Sequence, residues 1–407
     1  MGKRYRLYSS IPAWGQSCSV AEVDLAALRH NYAAVCRAVN EKKSGTDVIA
    51  VVKADAYGHG SPECVRALLL EGCRFFAVSC IQEAEAVRAT CLHAKQDASI
   101  LILGYTPPSF ASRLAELDAI QSLLSYEYAR ALDIASRDVG VTVRAHVALD
   151  TGMNRIGFCA HSEEEILDAV DQIARACAFS GLCVEGMFTH FASASASSDT
   201  ESGRRSDVQA ARYRAVKDAL EEKGIRLAKH HVCNSDGLVR TNDFFDAVRV
   251  GILLYGAHPA KDPGISLLPV LRLKTVISHV HTLLPGEGVS YDGIYSADSP
   301  RTVATLPIGY ADGLLRAYSG CLVTVHTKEG SKKAKIVGRI CMDQCMIDVT
   351  GLGARVGDTV TFFGEDPDAL SEYAAHANTI DYESLCLISS RVPRRYVNGE
   401  GEGIADE

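Results

Sequence analysis

Apolar and polar positions along this chain fall into two textures, and the change comes near Tyr255. Up to that point, short β-branched or apolar runs alternate with stretches whose apolar residues recur at the helical period of about 3.6 residues. Eight runs stand out, at 48–54, 74–79, 99–104, 119–125, 143–150, 184–190, 229–235 and 247–253. Helical patterns lie between most of them, among them 62–70, 82–89 and 207–223. Asp24 reads as the N-cap of a first helix, "DLAALRHNYAAVCRAV", with no strand before it. Eight strands alternating with helices over about 230 residues predict a (β/α)8 TIM-type barrel, with a doubly wound open sheet as the competing α/β architecture. After Tyr255, "VLRLKTVISHVHTLL", "RTVATLPIGY", "CLVTVHT", "KAKIVGRI", "CMIDVT" and "DTVTFFG" read as strands between Gly, Asp and Pro turns. Helical periodicity returns only at 370–377. The pattern therefore predicts two domains, a barrel over 1–255 and a mainly β domain over 256–407, with a polar tail, "NGEGEGIADE", expected to fray.

Composition narrows the partners. A net charge of −8 argues against nucleic acid or an anionic membrane surface, and the basic clusters at 331–335 and 391–395 are short enough to be solvated faces. No run approaches the ~20 apolar residues of a membrane helix. The N-terminal stretch "MGKRYRLYSSIPAWG" is basic but has no apolar core, so it is not a signal peptide. The 14 cysteines are scattered, with no CxxC pair, which points to free thiols and a reducing cytoplasm. His279 and His281 make an HxH with no third ligand nearby, so no metal site is expected. No GxGxxG or P-loop follows a strand, which leaves dinucleotide and triphosphate binding unsupported.

In a (β/α)8 barrel the active site gathers at the C-terminal ends of the strands. Lys53 ends the first run, in "VVKADAYGHG". Asp150, Thr151 and Arg155 follow the fifth, His190 ends the sixth, Asn234 and Ser235 end the seventh, and Arg249, Gly251 and Ile252 end the eighth. A rim lysine is either a snorkelling surface group or a desolvated amine able to form a Schiff base. Positions after strands seven and eight commonly hold a phosphate, and Gly251 would let backbone N–H groups approach it, although a lone glycine can equally be a turn. A lysine facing a phosphate site fits pyridoxal phosphate. His190 is a core histidine or a ring packed on a cofactor. Arg249, in an otherwise apolar strand, is costly unless paired, and facing a pyridine nitrogen it would donate a hydrogen bond there. The second domain has its own polar cluster, with Tyr291, Tyr310, Arg316, Arg339, Met342 and Asp343. A tyrosine is a poor base unless neighbouring cations lower its pKa from near 10.

Nine stretches, in order, resemble the alanine racemase family over nearly the whole chain: "VVKADAYGHG", "LDTGMNRIG", "THFA", "NSDG", "VRVGILLYG", "GVSYDGIYSA", "LPIGYADG", "GRICMDQCMIDV" and "ISSRVPR". The resemblance implies pyridoxal phosphate held by Lys53, which also serves as the base on one face of the substrate, with Tyr291 on the other. It implies phosphate contacts from Tyr57, Ser235, Gly251 and Ile252, Asn234 beside them, Arg249 at the pyridine nitrogen and His190 beside the ring. Arg155 and Met342 match substrate-carboxylate contacts. Tyr310, Arg316 and Arg339 match the access gate, and Tyr310 and Asp343 are placed with the substrate-binding group. A homodimer with shared active sites is implied, in which the tyrosine comes from the partner subunit.

Two positions depart from the family. Ser390 stands where a tyrosine usually precedes the arginine of the last motif, and Ala148 stands where many members carry a carbamylated lysine, so Arg155 needs another support. The reading is a racemase converting L-alanine to D-alanine with two bases. Serine, or alanine and serine together, is the alternative substrate suggested by Ser390. A non-catalytic pyridoxal-phosphate carrier would not need residues 256–407, and a decarboxylase of the same fold type would present a cysteine motif where "GVSYDGIYSA" presents a tyrosine.

Overall fold

The computed structural model describes residues 14, 17–193, 200–241, 244–257, 264–365 and 368–399. Most of the N-terminal stretch and nearly all of the polar tail lie outside them. The eight runs form eight parallel strands, Asp47–Val51, Phe75–Val78, Ser99–Ile102, Ala119–Leu123, Val143–Asp150, Leu182–Phe188, Lys229–His231 and Ala247–Val250. Each pairs with the next, and Ala247–Val250 pairs back with Asp47–Val51, so the sheet closes into a barrel and the open-sheet alternative falls away. The strands are short because each is buried in the wall and the chain turns outward at its end. In the seventh, pairing stops at His231, since Asn234 caps a helix at Ser235–Arg240, its Oδ1 accepting from the Gly237 N–H at 2.9 Å.

The second sheet has nine strands, ordered His279–Leu283, Arg301–Leu306, Cys345–Asp348, Gly330–Val337, Leu322–Thr327, Thr359–Thr361, Leu271–Val276, Ser19–Asp24 and Arg394–Val397. Asp24 does cap the helix Leu25–Lys42, with Oδ1 accepting from the Ala26 and Ala27 N–H groups. The expectation that no strand precedes that helix is corrected: Ser19–Asp24 is a strand of the second sheet, antiparallel to Leu271–Val276 and parallel to Arg394–Val397. Its partners lie about 250 and 370 residues away, which no local pattern announces. One large apolar core runs through the barrel and into the second sheet, containing Ile49, Phe76 and Val250 together with Leu273, Val323 and Ile347. Among the described residues no helix is long and apolar enough to cross a membrane.

Candidate active site

Lys53 enters its site on unusual backbone. Ala54, Asp55, Ala56 and Tyr57 have φ of 52–55° and ψ of 39–50°, one turn of left-handed helix built without glycine. Such a turn costs about 1–2 kcal/mol per L-residue, so surrounding structure must hold it. Glu83 Oε1 accepts from the Ala54 N–H at 2.6 Å, Asp55 Oδ1 accepts from the Ser61 N–H at 2.6 Å, and the buried His59 donates through Nδ1 to the Ala56 and Tyr57 carbonyls at 2.9 and 3.0 Å. Arg394, on the last strand of the second sheet, donates through Nε to the Gly58 carbonyl at 2.9 Å. Gly60 follows at φ 93°, where a Cβ would come within 1.8 Å of Tyr396 Oη. The turn leaves Lys53 at the strand end and buries Tyr57, its ring 4.8 Å from Tyr255 and 5.9 Å from Tyr382.

At the end of the neighbouring strand, Ala247–Val250, three groups converge. The Gly251 N–H donates to Ser235 Oγ at 3.1 Å, and a Cβ on Gly251 would lie 2.3 Å from Tyr57 Oη. Only glycine permits that approach. Ile252, fully buried, starts the short helix that carries the chain away. A backbone N–H, a hydroxyl and a phenol are thus gathered at one place, a donor set that suits an anion. Burial raises the Tyr57 phenol, so it stays protonated and able to donate.

Arg249 is buried without a carboxylate. Nη1 donates to His231 Nδ1 and to the His231 carbonyl, each at 2.7 Å, and Nη2 donates to the Thr189 carbonyl at 2.7 Å and the Val232 carbonyl at 3.3 Å. His190 Nδ1 lies 3.5 Å from Nη2. Among the described residues Nε makes no hydrogen bond, which leaves one directed donor over. Burial lowers Arg249 to about 10, so it remains cationic. Because arginine only donates, His231 accepts at Nδ1 and carries its proton on Nε2, which donates to His146 Nδ1 at 2.9 Å. Burial, then the cations of Arg249, Arg155 and Lys53, pushes His190 down to about 3, so its ring is neutral.

Lys53 Nζ has no hydrogen bond or ion pair among the described residues. Burial lowers it, Arg155 and Arg249 push the same way, and Glu83 and Cys386 oppose them. The net shift is downward, which eases loss of the proton that a nucleophilic amine must give up. Arg155 is exposed, and its guanidinium likewise has no partner among the described residues. Its loop is held by backbone: Asp150 Oδ1 accepts from the N–H groups of Gly152, Met153 and Asn154 at 2.9–3.1 Å, and Oδ2 from that of Arg155 at 3.1 Å. Ala148 is buried in the strand beneath and supplies no polar support.

Lys53, Tyr57, Arg155, His190, Asn234, Ser235, Arg249, Gly251 and Ile252 therefore share one rim. Tyr291, Tyr310, Met342 and Asp343 do not join it within the chain. They form a second cluster, in which the N–H groups of Tyr310 and Ala311 donate to the Cys341 and Met342 carbonyls at 3.0 Å, and Asp343 pairs with Arg391 at 2.9 Å. Tyr291 is flanked by Ser290 at φ 64°, ψ −164°, and Asp292 at φ 62°. The loop is pinned by Ser290 Oγ donating to the Arg339 carbonyl at 2.7 Å and by Arg339 Nε pairing with Asp292 at 2.7 Å. Among the described residues no hydrogen bond, ion pair or ring contact links Tyr291 or Met342 to the barrel rim. A cavity of about 460 Å3 opens at the opposite mouth of the barrel, beside Arg74, Arg144, His146 and Lys229, and contains none of these residues. Sequence reading missed Glu83, Arg394 and Tyr382 as supports of the lysine turn, and Gln209 and Arg212, which reach the Arg155 loop from the helix Glu201–Glu222.

Comparison with known proteins gives the same picture over both domains. The family pattern for the alanine racemase N-terminal domain matches residues 23–259, and that for the C-terminal domain matches 270–396. Alanine racemase from Desulfovibrio desulfuricans is 39% identical over 390 residues, 95% of this chain and 98% of its own. Alanine racemase 1 from Clostridium acetobutylicum is 36% identical over 398 residues, 96% of each chain. Among solved structures, alanine racemase from Clostridium difficile superposes with a TM-score of 0.83 at 34% identity, covering 94% of this chain and 96% of that one. The Bacillus anthracis enzyme with bound L-Ala-P superposes with a TM-score of 0.82 at 31% identity, covering 96% and 97%.

Proposed function

This chain belongs to the alanine racemase family, and from that premise we propose that it interconverts L- and D-alanine with Lys53 and Tyr291 as its two proton-transfer groups. The observation that carries the assignment is the desolvated, unpartnered Lys53 amine facing the cradle of Tyr57, Ser235 and Gly251. These residues fit pyridoxal phosphate: the cradle suits its phosphate, and the unused Arg249 Nε suits its ring nitrogen. When bound, the cofactor supplies the electron-withdrawing ring that acidifies the α-carbon of the amino acid.

The chain's own groups do the rest. Arg155, with its guanidinium uncommitted, takes the substrate carboxylate and fixes the face presented to each base. Lys53 Nζ takes the α-proton from one face, and Tyr291 Oη delivers a proton to the other; the roles reverse for the opposite enantiomer. His190 stays neutral and packs beside the ring. Arg249 remains a cation, so it can donate to the ring nitrogen but not accept a proton from it. That limits how much negative charge the ring takes up and keeps the proton transfers on the α-carbon. Met342, Tyr310 and Asp343, which stand apart from their own rim, would border the substrate bound by the partner subunit, with Arg316 and Arg339 further out.

Tyr291 is exposed and makes no hydrogen bond or ring contact with its own rim among the described residues, which supports a homodimer in which each subunit's tyrosine completes the partner's site. The 14 free thiols suit a cytoplasmic location. Ser390 is exposed at the turn before Arg391, and alanine, the substrate that names the relatives, is adopted over serine. A chiral assay of the purified holoenzyme should show L-alanine racemised faster than L-serine; the reverse order would overturn the substrate. Mixing Lys53→Ala and Tyr291→Phe chains under exchange should restore about a quarter of wild-type activity, since half of random dimers then carry one intact site of two. No recovery would overturn the shared site.

A further inference from the structure

The helix Glu201–Glu222 is charged over most of its surface, and its inner stripe includes Ser206, Gln209, Tyr213, Val216 and Leu220. Gln209 is 2% exposed on that stripe, where an apolar residue would pack without desolvation cost. All its polar capacity is spent on the barrel rim. Nε2 donates to the His190 carbonyl at 3.0 Å and to Thr151 Oγ1 at 3.4 Å, and Oε1 accepts from the Ala192 N–H at 2.9 Å. One turn on, Arg212 Nη1 donates to the Thr151 carbonyl at 2.8 Å. Thr151 Oγ1 also lies 2.8 Å from Thr189 Oγ1, whose own carbonyl accepts from Arg249. One amide thus ties the start of the Arg155 loop to the strand end that carries His190.

The brace matters because Arg155 is oriented only through the backbone of its loop. Its side chain has no partner among the described residues, and Ala148 offers none from below. Asp150 gathers the N–H groups of the loop, while Gln209 and Arg212 hold its start at the buried Thr151. We propose that Gln209 is a positioning residue for substrate binding, setting the Arg155 loop in register with His190 so that the guanidinium meets the substrate carboxylate. This rests on the reading of Arg155 as the carboxylate-binding residue and deepens it.

Two variants test it in the holoenzyme. Gln209→Leu removes all three bonds. Gln209→Glu keeps the acceptor for Ala192 and removes both donors. Each should raise KM for alanine about tenfold while kcat falls by less than about threefold, and each should weaken binding of propionate, measured by calorimetry, by a similar factor. In an Arg155→Ala background, Gln209→Leu should raise KM by less than about twofold, because the group it positions is gone. Unchanged KM and propionate affinity in both variants would overturn the proposal, as would a full multiplicative effect in the Arg155→Ala background. If Gln209→Leu fails to fold, Gln209→Glu decides. Arg155→Ala alone isolates the underlying reading: unchanged KM and propionate affinity there would remove Arg155 from carboxylate binding, a failure distinct from that of Gln209.

Discussion

The barrel rim and the second-domain cluster are built on opposite terms. At the rim, Arg249, Ser235 and Tyr57 are 3%, 3% and 6% exposed; Arg249 donates to buried carbonyls and to His231, and Ser235 accepts from the Gly251 N–H. In the second domain, Tyr291, Met342 and Tyr310 are 66%, 54% and 43% exposed, on loops held mainly by their backbone and by surface ion pairs. Both regions carry left-handed backbone beside the reactive residue: four residues after Lys53, and one on each side of Tyr291. At the rim the strain is absorbed by buried contacts and directs a side chain inward. At Ser290 it flanks a tyrosine whose side chain stands exposed. A site held in one chain can keep a cofactor; a group displayed by another can complete it.

Breaking the rim should therefore cost more than breaking the display. Lys53→Ala should lower racemisation by more than about a thousandfold and remove the absorbance band of lysine-bound cofactor. Retention of both would show that another group serves as base. Tyr291→Phe should be gentler on structure and more selective in chemistry. The exposed ring can lose its hydroxyl without disturbing packing, so fold and cofactor content should match wild type. Racemisation should fall about 10²–10⁴-fold in both directions, as an equilibrium constant of unity demands. Exchange of the α-proton with solvent deuterium should nevertheless persist for the one enantiomer whose proton Lys53 removes. Equal loss of exchange for both enantiomers would contradict the division of labour between the bases.

Much of this contrast is legible along the chain. The eight strand runs carry their own signal, because a barrel wall buries both faces and selects continuous β-branched residues. The rim residues follow from where those runs end. The turn at 54–57 does not: alanine and tyrosine have no local preference for left-handed backbone, one aspartate does not account for a run of four, and the glycines at 58 and 60 come after the curl. Glu83, Asp55, His59 and Arg394 hold it, and two of those four, Glu83 and Arg394, reach it from distant parts of the chain. The strand Ser19–Asp24 is hidden for the same reason, since its partners are hundreds of residues away. Gln209 sits in "DVQAARYRAV" as an ordinary polar residue of a solvated helix; only burial reveals that all of its hydrogen-bonding groups are used. Ala148 is the one place where the sequence posed the question, by leaving Arg155 without a visible support.

The smallest expected effect separates the two regions by acid. His59 and His146 are buried in the barrel, and burial lowers them to about 4 and about 3. In the second domain His279, His281 and His376 lie on the surface. An unfolded histidine titrates near 6.5, so below that pH the unfolded chain binds protons that the folded barrel refuses. The stability associated with each depressed pKa is present above about pH 6.5 and is lost as the pH falls toward 4 for His59 and 3 for His146. At pH 5 the loss is about 2 kcal/mol per histidine. The urea midpoint should therefore fall between pH 7 and pH 5, and amide exchange should rise first in barrel strands such as Val143–Asp150, before Leu322–Thr327 of the second sheet. Replacing His146 with glutamine, which keeps a side-chain carbonyl to accept from His231 but does not titrate, should flatten its share of the slope. A midpoint unchanged from pH 7 to pH 5, or exchange beginning in the second sheet, would mean that the buried histidines do not set the acid limit of the barrel.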